Sequence, residues 1–396
     1  MYRFFCRAYQ FAFRTAAHFL PWRQPVRVNS VGDLAAILEE SGISRVLLVT
    51  DKGVVSLGLH KELLESLERR QIYCTVFDET VPNPTIANIE KARVMYLEHK
   101  CGGIIALGGG SPMDCAKAVG ARIARPGKSI PRMKGQLKVL KKIPVLAAIP
   151  TTSGTGSEAT LAAVVTNGET REKYAINDHA LIPRFAVLDP SLTQKLPPPI
   201  TAQTGMDALC HAVEAYLGGS NTAQTRKDSL AATQLIFENL HEAYTNGSNL
   251  AARKNMQTAA YLAGAAFTRA YVGNIHAVAH TLGGQYSTPH GLANAVIMPY
   301  VLDAYGAKIF GRLAELAAAA GIADKNMPAA DNAARFIAAI RKMNRQMGIP
   351  DKLTDLKRED IPLLAGRALK EANPLYPVPV IFGRQDMEQI YCNLLE

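Results

Sequence analysis

Short apolar runs alternate with amphipathic helical patterns between residues 29 and 150, and this alternation limits the possible folds more than any other feature. Each run is apolar throughout, as expected of strands buried on both faces. The runs lie at 45–50, 72–77, 102–108 and 143–150. Helical patterns lie at 31–40, 60–70, 85–99 and 112–123. Strand and helix alternating in this way predict a parallel α/β sheet with right-handed crossovers.

A change of pattern divides the chain near residues 196–200. Further strand-like runs occur before it, at 162–167, 173–176 and 185–190. Three consecutive prolines then interrupt the pattern, since proline continues neither a helix nor a central strand. Beyond them the apolar residues keep a helical period. The expected organisation is an N-terminal arm, an α/β domain with a parallel Rossmann-like sheet and an all-α domain, at 1–24, 25–198 and 199–396.

Composition and cysteine usage set the broad class. Of 396 residues, 48% are hydrophobic and 20% are charged, which is typical of a globular protein with ample material for a core. The six cysteines form no C-x-x-C pair and lie within apolar runs, so we expect free thiols and a cytoplasmic location. No run of eighteen apolar residues occurs, and a transmembrane helix is not expected.

The net charge of +10 is concentrated in two segments. Residues 1–28 hold five arginines, residues 121–143 hold eight lysines and arginines, and neither segment holds an acidic residue. These two segments contribute +13 to the net charge of +10, so the rest of the chain is slightly acidic. We therefore expect no nucleic-acid partner.

The N-terminal segment 3–20 has the pattern of a basic amphipathic helix that ends at Pro21. A polar stripe contains Arg3, Arg7, Gln10, Arg14 and His18. A second stripe contains Phe5, Tyr9, Ala12, Ala16 and Phe19. Packing on the protein itself or on a partner subunit is the favoured interpretation. Peripheral contact with an anionic membrane surface is the alternative.

Polar residues in an apolar setting indicate a metal site in the second half of the chain. Asp207 and His211 are four residues apart, as are His276 and His280, and His290 follows in a Pro-His-Gly turn. Residues four apart share one face of a helix. One D-x-x-x-H pair carries little weight, because a single helical histidine is usually solvated or hydrogen-bonded. Burying several imidazoles with a carboxylate is costly unless a cation binds them, which predicts a divalent-metal site.

Two glycine-rich turns follow predicted strands and indicate phosphate binding. The turn at 108–111 leads into a helix, whose N-terminal N–H groups and dipole favour an anion. The segment 151–158, T-T-S-G-T-G-S-E, offers hydroxyl and main-chain donors to a pyrophosphate. A plain tight turn and a polar surface loop are the respective alternatives. Both segments lie at the carboxyl ends of predicted strands, where open α/β sheets bind ligands.

Asp51 ends the strand at 45–50 and bears on the choice of cofactor. A carboxylate there accepts hydrogen bonds from ribose hydroxyls and repels a 2′-phosphate, which favours NAD over NADP. The alternative is a cap of a turn or helix, which aspartate also suits.

Together these motifs resemble the iron-containing, or group III, alcohol dehydrogenases. The resemblance runs from about residue 25 to the end. Its motifs are G-G-G-S-P-M-D at 108–114, T-T-S-G-T-G-S-E at 151–158, D-A-L-C-H at 207–211, the histidine segment 276–291, V-P-N-P-T at 81–85 and the closing N-P…D-M-E-Q-I-Y. It implies a dehydroquinate synthase-like architecture: a dinucleotide-binding domain, a helical metal-binding domain and an active site in the cleft between them.

The resemblance also implies roles for individual residues. The implied ligands of one divalent metal, Fe²⁺ with Zn²⁺ as the alternative, are Asp207, His211, His276 and His290. His280 stands near the reacting centre without ligating the metal and is our candidate for carrying a proton, and Phe267 lines the substrate pocket. The implied NAD(H) contacts are Asp51, Asn83, Gly109, Gly110, Ser111, Asp114, Thr151, Thr152, Thr155 and Lys173.

The expected function is metal-dependent hydride transfer between a primary alcohol or aldehyde and NAD(H), with NADP tolerated, in a homo-oligomer. One alternative is a glycerol dehydrogenase-like enzyme, or another polyol or hydroxy-acid dehydrogenase of the same superfamily. The other is a membrane-surface protein with an idle site. The complete set of one aspartate and three histidines counts against both alternatives.

Overall fold

The structure, a computed structural model, describes residues 1–17, 22–170 and 172–396, without the side chains of residues 16 and 17. It divides into two compact units. One contains the described residues of Met1–Leu20 with Leu196–Glu396, and the other contains the described residues of Pro21–Lys195. Helix α1 (Tyr2–Ala17) accounts for the predicted N-terminal helix. The predicted helical positions 18–20 and the predicted end at Pro21 lie outside the described residues.

The α/β unit follows the predicted alternation of strands and helices. Its elements are β1 (Val26–Val28), α2 (Val31–Glu40), β2 (Arg45–Val49), α3 (Lys52–Ser56), α4 (Lys61–Glu68), β3 (Tyr73–Phe77), α5 (Ile86–Glu98), β4 (Gly103–Gly108), α6 (Gly110–Ala124), β5 (Gly135–Gln136), β6 (Val145–Pro150), β7 (Ala162–Thr166), β8 (Lys173–Asn177) and β9 (Phe185–Val187). Strand β1 and helix α3 were not predicted, because three and five residues are too short to show a period.

Six strands form one parallel sheet in the order β1-β9-β6-β4-β2-β3, which confirms the predicted sheet type. Strand β3 lies outside β2, whereas β6 and β9 extend the sheet beyond β4. The direction of the strand order therefore reverses between β2 and β4. The loops that follow these two strands flank the point at which doubly wound sheets bind ligands.

The central strand β4 shows why its sequence is apolar without interruption. Ile104 and Ala106 belong to one buried cluster, and Ile105 and Leu107 belong to the cluster on the opposite face. All four are 0–1% exposed. Burying a large aliphatic side chain of this kind stabilises a fold by about 1.5–3 kcal/mol, so this strand is anchored from both sides.

Strands β7 and β8 lie outside the six-stranded sheet. They pair antiparallel and form a separate three-stranded sheet with β5. Buried positions alternate with more exposed ones along both strands, so each buries only one face. Such half-buried strands suit a small sheet with one face on the core, and the predicted strands at 162–167 and 173–176 lie there and not in the parallel sheet.

The helical unit confirms the prediction of an all-α second half. Its elements after α1 are α7 (Pro198–Leu217), α8 (Ala223–Thr245), α9 (Leu250–Ala270), α10 (Asn274–Tyr286), α11 (His290–Tyr305), α12 (Phe310–Ala319), α13 (Ala329–Gln346), α14 (Ile361–Ala372) and α15 (Arg384–Leu394). Residues 196–396, all of them described, contain no strand beyond an isolated bridge between Leu353 and Leu395. Among the described helices, none is long and apolar enough to cross a membrane.

The prolines at 198 and 199 begin helix α7 and do not merely separate domains. Proline is tolerated there because the N–H groups of a first turn have no helical partner. The start of α11 then lies directly against α7. A Cβ atom on Gly291 would come within 2.4 Å of the Gln203 carbonyl oxygen, so only glycine allows this approach. The contact fixes the beginning of α11 beside the first half of α7.

Candidate metal centre and cofactor loops

The four predicted metal ligands converge in the helical unit. Asp207 and His211 lie on α7, His276 lies on α10, and His290 is the first residue of α11 rather than part of a turn. One potential ligand atom from each lies within 4.8 Å of all the others. The Nε2 atoms of His276 and His290 lie 3.9 Å and 3.5 Å from Oδ1 of Asp207.

This donor set fits a single divalent ion. Ligand atoms about 2.0–2.2 Å from one ion lie within about 4.4 Å of one another, so only a small inward movement is required. Asp207, His211 and His276 are only 2–4% exposed, and His290 is half-buried. Three imidazoles and one carboxylate suit Fe²⁺, Zn²⁺ and the other first-row divalent ions.

The environment of His276 prepares its ring for ligation. Burial, followed by the neighbouring His211, His290 and His280, holds the pKa of His276 well below its usual value. The ring is therefore neutral and offers a lone pair. Its Nδ1 lies 2.6 Å from Oε2 of Glu214, so Nδ1 carries the proton and Nε2 is left to bind a cation.

Glu214 is itself held in place by the start of α10. Its Oε1 accepts a hydrogen bond of 2.7 Å from the Ile275 N–H. Burial raises the pKa of Glu214 to about 7, and hydrogen bonds from main-chain N–H groups of Gly273, Ile275 and His276 oppose that rise. The carboxylate is thus oriented toward the histidine ring by the same helix that carries the histidine.

Asn294 contacts three of the four predicted ligands. Its Nδ2 lies 2.7 Å from Oδ1 of Asp207, 3.1 Å from Nε2 of His290 and 3.2 Å from Nε2 of His276. An amide N–H₂ group carries two hydrogens and no acceptor, so it can donate to two of these atoms at a time, and all three face one place. Acceptors that converge in this way are what a cation requires.

His280 lies beside this cluster but does not belong to it. Its ring stacks on that of His290 with centroids 5.3 Å apart. Its Nδ1 lies 2.6 Å from Oε1 of Glu371, and the same oxygen accepts a hydrogen bond of 2.9 Å from the Tyr376 hydroxyl. The His280 side chain is 35% exposed, so it contacts both the buried cluster and solvent.

Phe267 and Cys210 also contact the cluster. The Phe267 ring stacks on that of His211, with centroids 4.2 Å apart and planes 14° from parallel. The Cys210 sulfur lies 3.9 Å from Nδ1 of His276, on the side of Glu214. Burial and the nearby Glu214 and Asp207 raise the pKa of Cys210 well above its usual value. A protonated thiol packs and does not ligate.

Four residues around the cluster were not predicted from the sequence: Glu214, Asn294, Glu371 and Tyr376. Two of them could have been identified from their spacing along the chain. Glu214 follows Asp207 by seven residues and Asn294 follows His290 by four, so each shares a helical stripe with a predicted ligand. Glu371 and Tyr376 lie far along the chain from His280, and no local pattern connects them.

The two glycine-rich segments meet at the carboxyl ends of β4 and β6. The Thr151 N–H donates to the Gly108 carbonyl oxygen at 3.0 Å. A Cβ atom on Gly109 would lie 3.6 Å from Thr152, and one on Gly110 would lie 3.2 Å from Thr155. The two segments thus form one cradle that side chains on the glycines would fill, and it lies beside the N-terminus of α6.

Gly108 is required at the start of this cradle. Its φ is +149°, and a Cβ atom there would come within 2.6 Å of the Pro112 ring. Asp51 lies next to it, since Oδ2 of Asp51 is 3.5 Å from the same Cβ position. Asp51 also caps α3, because its Oδ1 accepts a hydrogen bond of 2.9 Å from the Val54 N–H. One carboxylate oxygen therefore has a capping role, and the other faces the turn.

The remaining predicted cofactor residues lie around the same loops. The Asn83 N–H donates to the Ser111 hydroxyl at 3.1 Å. Asp114 accepts a hydrogen bond of 3.3 Å from the Ser157 hydroxyl. Burial raises the pKa of Asp114 to about 6, and the positive charges of Lys117 and Lys173 oppose the rise. Hydroxyl groups, main-chain donors and an open glycine turn are the groups that bind a dinucleotide phosphate.

Comparison with known proteins agrees with this geometry. Residues 25–190 match the family described as Iron-containing alcohol dehydrogenase, and residues 201–395 match the family described as Fe-containing alcohol dehydrogenase family, C-terminal. The chain belongs to the iron-containing alcohol dehydrogenases, and it is an alcohol/aldehyde oxidoreductase of that family.

Three relatives illustrate the similarity. The chain is 38% identical over 353 residues to the 1,3-propanediol dehydrogenase of Klebsiella pneumoniae, covering 88% of this chain and 90% of that protein. It is 33% identical over 379 residues to the NAD-dependent methanol dehydrogenase of Bacillus methanolicus, covering 95% and 99%. A solved 1,3-propanediol oxidoreductase has a TM-score of 0.91 at 34% identity, covering 95% of this chain and 100% of that one.

Proposed function

We propose that the chain is an NAD(H)-dependent dehydrogenase that interconverts a small primary alcohol and its aldehyde at one Fe²⁺ ion. The observation that carries the proposal is the convergence of Asp207, His211, His276 and His290, whose potential ligand atoms lie within 4.8 Å of one another. Two relatives are named for a diol and for methanol, and this supports a small alcohol as the substrate.

The chemistry divides between bound groups and side chains. When bound, the metal supplies Lewis acidity toward an alcohol or carbonyl oxygen and the nicotinamide supplies the hydride chemistry. Asp207, His211, His276 and His290 hold the ion. Glu214 fixes the tautomer of His276, since it accepts the Nδ1 proton at 2.6 Å. Phe267 shields the His211 ring from water by stacking on it.

His280 is the proposed carrier of the alcohol proton. Glu371 accepts the Nδ1 hydrogen of His280, so Nε2 is the ring nitrogen that can take up a proton. The side chain is 35% exposed, which lets it release that proton to water. Its partial exposure beside buried ligands is the property expected of a group that connects a site with solvent.

The proposed preference for NAD(H) is supported by Asp51. Its second carboxylate oxygen lies near Gly108, at the point where the strand order reverses. A negative charge there favours ribose hydroxyls over a 2′-phosphate. The proposed phosphate contacts are Gly109, Gly110, Ser111, Thr151, Thr152 and Thr155, and Asn83, Asp114 and Lys173 are proposed to complete the site.

One experiment tests the proposal directly. The purified protein would be analysed for bound metals and then assayed with a panel of short alcohols and aldehydes, using NAD(H) and NADP(H) in parallel. We expect close to one iron per chain and faster turnover with NADH than with NADPH. A folded protein that takes up no divalent ion under any condition would overturn it. Turnover with glycerol but not with short primary alcohols would favour the polyol alternative.

We further propose a homo-oligomer in which 25–198 and 199–396 fold as separate domains. Light scattering and limited proteolysis near residues 196–200 would test these two points. A cytoplasmic location is proposed on the basis of the six cysteines, all of them described and all free.

Peripheral contact with an anionic membrane is also proposed, through the outer face of α1. Phe4 is 80% exposed and Phe11 is 62% exposed, and the helix carries no acidic residue. Sedimentation with anionic and neutral liposomes, comparing the natural chain with Phe4→Ser/Phe11→Ser, would test it. Binding that does not differ between the two proteins would count against the proposal.

A further inference from the structure

Helix α1 precedes the region that matches the family, yet it is tied to the segment 376–381 of the same unit. Cys6 is 0% exposed and packs with Val378 and Ile381. This small cluster is the apolar part of the contact. Arg7 and Gln10 of the polar stripe supply the hydrogen bonds of the attachment.

Three main-chain carbonyl groups of the segment receive donors from α1. Arg7 donates to the Val378 oxygen at 2.7 Å and to the Pro379 oxygen at 2.8 Å. Gln10 donates to the Tyr376 oxygen at 2.7 Å and accepts a hydrogen bond of 2.9 Å from Arg7. The segment is neither helix nor strand, so its carbonyl groups depend on such partners.

Tyr376 connects this attachment to His280. Its main chain is held by Gln10, and its hydroxyl donates to Oε1 of Glu371 at 2.9 Å. The same oxygen lies 2.6 Å from Nδ1 of His280. A shift of Tyr376 therefore displaces the carboxylate that orients the imidazole. The side chains of Glu371 and His280 are about one third exposed, so water competes for their hydrogen bonds and the geometry depends on what supports it.

A second set of contacts reaches the other side of the cluster. Phe13 of α1 meets the Tyr271 ring edge-on, with centroids 5.4 Å apart. Tyr271 ends α9 with a φ of +68° and donates its N–H to the Phe267 carbonyl oxygen at 2.7 Å. Phe267 stacks on His211. Helix α1 thus touches the two segments that position His280 and Phe267.

We propose that α1 is an intramolecular brace for the active site, in which Arg7 and Gln10 act as positioning residues for His280 through Tyr376 and Glu371. The inference rests on the proposed role of His280 in turnover. It assigns a role to a helix that lies outside the family match. Arg7 and Gln10 act through Tyr376 on Glu371 and His280, which are not among the proposed metal ligands, so we expect these two residues to affect turnover and not metal binding.

A double-mutant cycle in the full-length chain tests the brace. Arg7→Ala/Gln10→Ala removes the donors to 376–379, and Tyr376→Phe removes only the hydroxyl that holds Glu371. A 1 Å misplacement of a catalytic group can lower the rate roughly 100-fold. We expect each change to lower kcat by about 10-fold, because each acts on His280 only through Glu371. Bound metal and KM for NADH stay unchanged. Combining the changes is expected to add little, because both act through Glu371.

The control is Thr15→Ala, which alters an exposed side chain of the same helix and is expected to keep full turnover. Losses that multiply when the changes are combined, or an unchanged kcat in Arg7→Ala/Gln10→Ala, would overturn the brace. If that variant fails to fold, Gln10→Leu removes the bonds of Gln10 to Tyr376 and to Arg7, leaves the Arg7 donors to Val378 and Pro379 in place, and carries the same expectation. Absence of turnover in the natural chain would instead refute the proposed function, which keeps the two failures distinct.

Discussion

The Nδ1 atom of His276 lies 2.6 Å from Oε2 of Glu214, while its Nε2 faces Asp207 at 3.9 Å. A buried carboxylate therefore lies at one nitrogen of the ring, and Asp207, a proposed metal ligand, lies on the side of the other. With an ion bound at Nε2, this would be the carboxylate–histidine–metal pattern that fixes ring orientation and raises ligand basicity.

Replacing Glu214 by glutamine should weaken metal binding without removing a ligand. We expect metal affinity to fall by about 10- to 100-fold, because the amide orients His276 less firmly and makes it less basic. Competition with a chelator of known affinity would measure the change. Glu238→Gln, on an exposed face of α8, is the control. Equal affinities in the natural chain and Glu214→Gln would contradict the prediction.

The roles of His280 and His276 should be distinguishable when each residue is replaced by alanine. His280→Ala is expected to keep nearly full metal content and to lose about 100- to 10,000-fold in turnover, the usual contribution of a general acid or base. His276→Ala is expected to lose the metal. Metal analysis and steady-state rates on both variants would check this. Equal loss of metal from the two would refute the division of roles.

Substitutions of Asp51 should distinguish its role as a cap of α3 from its proposed role in cofactor preference. Asp51→Asn keeps an acceptor for the Val54 N–H and removes the charge, whereas Asp51→Ala removes both. Both variants should shift the ratio of kcat/KM for NADPH over NADH upward by about 10-fold, equivalent to about 1.4 kcal/mol. Only Asp51→Ala should lose stability, by about 1 kcal/mol for the missing cap. An unchanged cofactor ratio in Asp51→Asn would limit this residue to capping.

Gly291→Ala should disturb the metal centre through the main chain. The new Cβ would lie 2.4 Å from the Gln203 oxygen, so α11 must move away from α7 and carry His290 from Asp207. We expect a loss of about 1–3 kcal/mol in stability and weaker metal binding. Gly311→Ala is the matched control, since nothing lies within 4 Å of its Cβ position on α12. Thermal unfolding and metal titration would compare them.

Glu158 should make the stability of the protein depend on pH. Burial raises its pKa from 4.5 to about 7, so between these values the folded state binds more protons than the unfolded state. Stability from this group is present below pH 4.5 and is lost as pH rises through 7. Glu158→Gln should raise the unfolding temperature more at pH 8 than at pH 5, relative to the natural chain. A shift of equal size at both pH values would contradict the raised pKa.

The predictions from sequence succeeded where a period or a short spacing carried the information. The uninterrupted apolar residues of 102–108 specified a strand buried on both faces. The four-residue spacing of Asp207 and His211 placed both on one face of α7. Glu371 and Tyr376 were missed because their relation to His280 arises only when distant helices pack. No pattern in one segment can report the position of another that lies 91 residues away.

Helix α1 shows a different limit of prediction from sequence. The amphipathic pattern identified the helix but not which stripe faces inward. In the structure the polar stripe is turned to the protein, since Arg7, Gln10 and Arg14 donate to main-chain oxygens. Phe5 and Tyr9 of the second stripe are 55% and 40% exposed. Carbonyl groups of an irregular segment attract polar side chains, and hydropathy alone carries no information about where such a segment lies.

The partners of α1 also affect the order in which the protein can be assembled. Arg7 and the carbonyl group that it binds on Val378 are separated by 371 positions, nearly the whole chain. At 5–20 residues per second, the ribosome needs roughly 20–75 s to supply that partner. During this time helix α1 lacks the segment 376–381 on which it docks. The proposed brace can therefore form only after two parts of the chain 371 positions apart have both been synthesised.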